Sequence, residues 1–172
     1  TTLLSIFKTL GWHVEAIHVN YHLRDEDSNK DQEHIELFCK KNDIPFHLKS
    51  IDLGQQLKEK KGNLQEEARK VRYDFFETFI QQSEDNYIIL GHHIDDQIET
   101  FLMHLARKSG IMGMSCMLPL NNQYARPFLT IKKDDIISFA KSQRIEWRED
   151  VTNQTNKYTR NILRNILIPK LR

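Results

Sequence analysis

Tyr87-Ile88-Ile89-Leu90-Gly91-His92-His93-Ile94-Asp95-Asp96-Gln97 is the stretch on which the fold turns. Its first four residues are a compact apolar run, the mark of a buried strand. Gly91 lets the backbone leave that strand sharply. Apolar residues then recur at helical spacing and predict a helix over 95–107. A strand that runs through a glycine turn into a helix is the unit of an α/β sheet.

The same alternation extends to both sides. Leu3, Leu4, Phe7 and Leu10 predict a helix that stops at Gly11. A β-branched run over 14–19 predicts a strand, followed by the polar turn 20–24. A helix is expected over 27–42 and a strand over 46–51. Residues 53–61 are polar and lysine-rich and are expected to form a mobile loop. Asn63 with Glu66 has the form of a capping box that opens a helix to about residue 82. After the central unit, residues 109–124 are expected as a loop, its methionines serving packing or a lid. Thr130 is expected to cap a helix over 131–143, 147–153 to be irregular, and a last helix to cover 156–167 before Pro169. The expected fold is α/β, a parallel sheet with helices on both faces, in one domain over 1–172.

Composition narrows the classes of function. At 172 residues, 39% hydrophobic and 28% charged, the chain is an ordinary globular domain. No apolar run approaches the roughly 20 residues that cross a bilayer, and the start has no signal-peptide pattern, so no membrane role is expected. Cys39 and Cys116 form no paired motif and are expected as buried thiols in a reducing cytoplasm. The chain opens on Thr1-Thr2-Leu3-Leu4, a start already inside the expected helix, and is expected to be a piece of something longer. Net charge is +1, but residues 126–172 hold 11 Lys/Arg against 5 Asp/Glu, and residues 1–125 hold 14 against 19. A more basic C-terminal portion suits a polyanion.

Ligands of parallel sheets bind outside the carboxyl ends of the strands. The turns after Val19 and after Leu90 are therefore expected to face the site. Capping acids explain Asp95 or Asp96 singly. Two histidines and two aspartates crowded at one strand end point to chemistry. Asp96, Glu99 and Thr100 share a helix face. Two mechanisms fit these residue types: a carboxylate holding Mg²⁺ while a histidine meets ATP phosphates, or a zinc site that activates water.

Gly91-His92-His93-x-Asp95-Asp96-Gln97-x-Glu99-Thr100 is very similar to the hallmark of bacterial tRNA(Ile)-lysidine synthases. Other segments follow in that family's order: 18–24, Ala68-Arg69-x-x-Arg72-Tyr73, Arg126-Pro127-Phe128-Leu129, and the closing elements within 149–153, 158–164 and 168–172. The resemblance implies an adenine nucleotide α-hydrolase-like (Rossmann-like) fold that uses ATP and Mg²⁺. It implies adenylation of the wobble cytidine of the CAU-anticodon tRNA(Ile), displacement of AMP by free L-lysine, a cytoplasmic location and a homodimer.

By the same resemblance, Asp96 is the catalytic carboxylate, through Mg²⁺ or the incoming lysine. His92 meets the phosphate or adenylate, and Arg72 with Arg69 serves the substrate end. Arg160, Arg164 and Glu99 are assigned to substrate or tRNA, and Gly91, His18 and Asn20 to the nucleotide. The family's Ser-Gly-Gly-x-Asp-Ser phosphate loop is expected just before Thr1, so the chain as it stands is expected to bind ATP poorly. Alternatives are a tRNA thiolation enzyme of the same superfamily, a metal-dependent hydrolase, and a non-catalytic tRNA-binding module.

Overall fold

Helix α1 (Thr2–Thr9) ends where the sequence places its stop. Gly11 takes the left-handed φ of +78°. Its N–H donates to Lys8 O and that of Trp12 to Phe7 O, each at 3.0 Å. The Trp12 and Phe7 rings meet edge-on at 5.7 Å. This is a Schellman ending with its apolar clasp, and a Cβ at Gly11 would oppose it by backbone strain alone. In this computed structural model the described residues are 1–23, 25–55, 63–107, 116–148 and 159–171.

Two compact units emerge, Thr1–Asn86 with Ile145–Arg148, and Tyr87–Arg144 with Glu149–Arg172. In the first, β1 (Ala16–Asn20) runs through α2 (Asp25–Lys41) to β2 (Phe46–Ser50). The strands pair in parallel, Ala16 opposite Phe46 and Asn20 opposite Ser50. Ala16, Cys39 and Ile44 are buried together, with Leu4, Val14, Ile35, Phe38 and Phe46 packed around them. Helix α3 (Leu64–Ile80) is capped by Asn63, whose side chain accepts from Gln65 N at 3.0 Å. The expectation of a loop over 53–61 needs correcting at its start. Residues 53–55 are helical and Leu53 is 1% exposed, an apolar anchor among polar neighbours. The rest of that segment lies outside the described residues.

The second unit holds β3 (Ile88–Ile89), α4 (Ile94–Ala106), β4 (Leu120–Asn121), β5 (Tyr124–Ala125) and α5 (Lys133–Ser142). Strand order is β3-β5-β4, with β3 and β5 parallel and β4 antiparallel. The hairpin β4–β5 falls where a loop over 109–124 is expected. It closes on Asn122, with a left-handed φ of 51°, which asparagine tolerates. The methionine-rich part of that loop, through Met114, lies outside the described residues.

Thr130 does not cap α5, since the N-cap is Lys132 with no side-chain cap bond. The first N–H of α5, that of Lys133, instead donates to Asp95 Oδ2 at 3.3 Å, so the capping oxygen comes from α4. The last helical stretch comprises α6 (Thr159–Ile162), a π-helical segment Leu163–Leu167 and α7 (Ile168–Leu171). It runs past Pro169, the expected stop. That proline, which has no N–H, sits where the register passes from π to α.

Candidate active site

At the C-terminal end of β3 the chain turns at Gly91, which is exposed, and passes His92 into α4. His93 is the N-cap, and its backbone N–H donates to Asp96 Oδ2 at 2.9 Å. The His93 ring lies between two carboxylates, with Nδ1 3.6 Å from Asp95 Oδ2 and Nε2 3.5 Å from Asp96 Oδ2. Acids in a first helical turn are favoured by the dipole, and here each also has a fixed partner.

One turn further on, Glu99 is 0% exposed. Its Oε2 receives Arg160 Nε at 2.6 Å, and its Oε1 receives Arg164 Nε at 2.5 Å. A third bond joins Arg164 Nη2 to Oε2 at 3.0 Å. The same guanidiniums reach Asp96 Oδ1 over longer distances, 3.5 Å from Arg160 and 3.4 Å from Arg164. A buried carboxylate is tolerable only when paired and hydrogen-bonded in this way. Burial alone would lower the pKa of Arg164. The hydrogen bonds and charge of Glu99, with Asp96 and Asp95 behind it, raise it instead.

Asp96, Glu99, Arg160 and Arg164 thus meet as one cluster, with Gly91 and His92 on the adjoining turn. A direct Mg²⁺ bond from Asp96 does not fit this arrangement. One oxygen takes the His93 N–H and the other faces two guanidiniums, which would repel a dication. Among the described residues no group of three or more His, Cys, Asp or Glu is set to hold a metal.

His18, Asn20, Arg69 and Arg72 lie in the first unit. Asn20, assigned to the nucleotide by sequence, is 2% exposed and committed internally. Its Nδ2 donates to Asn29 Oδ1 at 3.1 Å and Gln32 Oε1 at 2.9 Å, and its Oδ1 accepts from His22 N. With both amide hydrogens used, it fastens the end of β1 to α2. Burial lowers the pKa of His18, against the raising charge of Asp31, and so favours the neutral ring. Arg69 stacks its guanidinium 4.4 Å from the centre of the Tyr73 ring, with Arg72 5.9 Å away.

The turn after β1 and the arginine helix come together through Tyr21. Its Oη donates to Ala68 O at 2.8 Å, and burial raises its pKa against the lowering charge of Arg72. Sequence reasoning gave no role of their own to Tyr21 and Gln97, although both stand in the segments that resemble the family, and it read Asp95 as capping its own helix rather than α5.

A family model for the PP-loop domain matches residues 1–171. The chain belongs to the PP-loop domain family. Among curated relatives, this PP-loop domain is 40% identical over 162 residues to the "Bifunctional protein TilS/HprT" of Listeria innocua, covering 92% of this chain and 25% of that protein. It is 35% identical over 167 residues to the "tRNA(Ile)-lysidine synthase" of Bacteroides thetaiotaomicron, covering 97% and 39%. The synthase of that name from Oceanobacillus iheyensis is 36% identical, covering 98% and 38%. The chain therefore spans well under half of each relative.

A solved structure, the U34-tRNA thiolase NcsA from Methanococcus maripaludis with its [4Fe-4S] cluster, superposes with a TM-score of 0.68 at 15% identity. The match covers 96% of this chain and 62% of that one, and it bears on the fold alone. The PP-loop domain has the α/β fold expected from sequence.

Proposed function

We propose that the protein carrying this PP-loop domain uses ATP to join L-lysine to the wobble cytidine of the CAU-anticodon tRNA(Ile). The cytidine is first adenylated with release of pyrophosphate, and the lysine amine then displaces AMP. The observation that carries the reading is the Asp96–Glu99–Arg160–Arg164 cluster at the head of α4. It stands on the segments that resemble lysidine synthases, in a chain 35–36% identical to proteins of that name.

The cluster suits both substrates. Glu99, fully buried, fixes two guanidiniums, and Arg160 keeps 42% of its side chain exposed, where it can meet a phosphate. The contacts of Asp96 Oδ1 to the arginines are long, so that oxygen can accept a hydrogen bond from the neutral amine of an incoming lysine, the form that displaces AMP. ATP chemistry of this kind uses Mg²⁺, which commonly enters on the phosphates. Asp96, held by the His93 N–H and the two arginines, does not fit as its ligand.

Thiolation is the second reading. Relatives of that kind generally carry paired cysteines. Cys39 is 0% exposed, and Cys39 and Cys116 form no paired motif in the sequence, which disfavours the reading. The test supplies the full-length protein with ATP, labelled lysine and a transcript of the CAU-anticodon tRNA(Ile). Label in the tRNA with one AMP formed per lysine supports the proposal. AMP formed without lysine transfer, but with sulfur incorporation from a donor, would favour thiolation.

A further inference from the structure

Arg126 is 9% exposed and directly follows β5. Ile89 of β3 lies opposite Ala125, and Leu90 N donates to Ala125 O at 2.9 Å. Arg126 therefore leaves the sheet beside Leu90, one residue before Gly91, at the carboxyl edge where ligands of such sheets bind. The backbone there is firmly held. Arg126 N donates to Pro119 O at 2.7 Å, and Arg126 Nη1 to Leu118 O at 3.0 Å. From α4, the Gln97 amide clamps the preceding residue, donating to Met117 O and accepting from Met117 N, both at 2.8 Å.

The guanidinium itself is poorly satisfied. It has five N–H donors. Among the described residues its one side-chain bond is that to Leu118 O, no carboxylate pairs with it, and its Nε is buried without a partner. The carboxylates of α4 are committed elsewhere, Asp95 to Lys133 N, Asp96 to His93 N and Glu99 to Arg160 and Arg164. A cation buried in this way is costly unless an anion joins it. A planar fork of donors matches a phosphate better than a point charge does.

We infer that Arg126 is an anion-binding residue whose ligand is a phosphate of the nucleotide. The inference rests on the reading of the domain as nucleotide-using and names a side chain that receives the phosphate. Arg126 differs from a structural strut in one measurable respect. A strut stabilises the empty protein, whereas an unsatisfied cation does not.

The full-length protein and its Arg126→Met and Arg126→Lys variants are compared by thermal unfolding and by titration with ATP, AMP, pyrophosphate and the tRNA transcript. The Met variant is expected to melt at or above the wild-type temperature when empty. Its affinity for ATP and pyrophosphate falls at least tenfold, and tRNA binding is unchanged. The Lys variant retains an intermediate affinity. Unchanged ATP and pyrophosphate affinity in either variant overturns the inference while leaving the nucleotide reading intact. A Met variant that melts several degrees lower or fails to fold, with a Lys variant that binds like wild type, makes Arg126 a strut. Loss confined to tRNA binding also overturns the inference. Wild-type binding of pyrophosphate through Arg126 without any binding of ATP would keep the anion site and remove the nucleotide reading.

Discussion

Glu99 has no surface, yet it carries the charge that holds Arg160 and Arg164 together. Removing one partner of a buried ion pair strands the other, at a cost of about 3–5 kcal/mol. Glu99→Gln is expected to lower stability by that order in urea denaturation, and to lose activity even where it stays folded. A loss below about 1 kcal/mol would mean the arginines find other partners.

A second residue-scale prediction concerns Glu15, whose oxygens lie 2.7 Å from His47 Nε2 and 3.2 Å from His13 Nε2. Burial raises its pKa, but the bonds and charges of the two histidines outweigh that and the net shift is downward. A carboxylate with a depressed folded pKa stabilises the fold above the ordinary value of 4.5 and loses that contribution as pH falls through the lower folded value. The melting-temperature gap between wild type and Glu15→Gln should therefore be present at pH 5–6 and shrink as the pH falls below 4.5. A gap that widens on acidification would refute the pairing.

At the scale of elements, the ending of α1 depends on backbone shape rather than contacts. No atom lies within 4 Å of a Cβ built at Gly11, so Gly11→Ala should cost only the left-handed strain, about 1 kcal/mol. A thermal melt of that variant checks it, and an unchanged melting temperature would contradict the Schellman reading. The Gly11 stop, the Asn63 cap and the strand–glycine–helix unit at 88–106 were legible because each is written in adjacent residues. The hairpin β4–β5 was not, since two-residue strands carry too little periodicity to register. The capping of α5 by Asp95 was illegible for a different reason: the donor and acceptor are 38 residues apart in sequence. Within the site, Asp96, Glu99, Arg160 and Arg164 were chosen by motif, and their helical spacing placed them on common faces. The commitment of Asn20 to Asn29 and Gln32 could be seen only once β1 and α2 were in place.

At the scale of the whole molecule, the excess of 11 Lys/Arg over 5 Asp/Glu in residues 126–172 suits a polyanionic substrate. If Arg160 contacts a tRNA phosphate, Arg160→Gln should weaken tRNA binding and flatten its dependence on log salt by roughly one unit. An unchanged slope would confine Arg160 to its role beside Glu99. The central claim is that Asp96 serves lysine transfer in a tRNA-lysidine ligation. It is tested most directly by measuring labelled lysine incorporated into the CAU-anticodon tRNA(Ile) by the full-length protein and its Asp96→Asn variant. Asparagine keeps an acceptor for the His93 N–H, removes the charge and sets its Nδ2 in place of the oxygen that faces Arg160 and Arg164. The account predicts ATP-dependent incorporation by wild type and a fall of at least a hundredfold in a variant that remains folded. Incorporation by the variant at the wild-type rate, or none by the wild type, would contradict it.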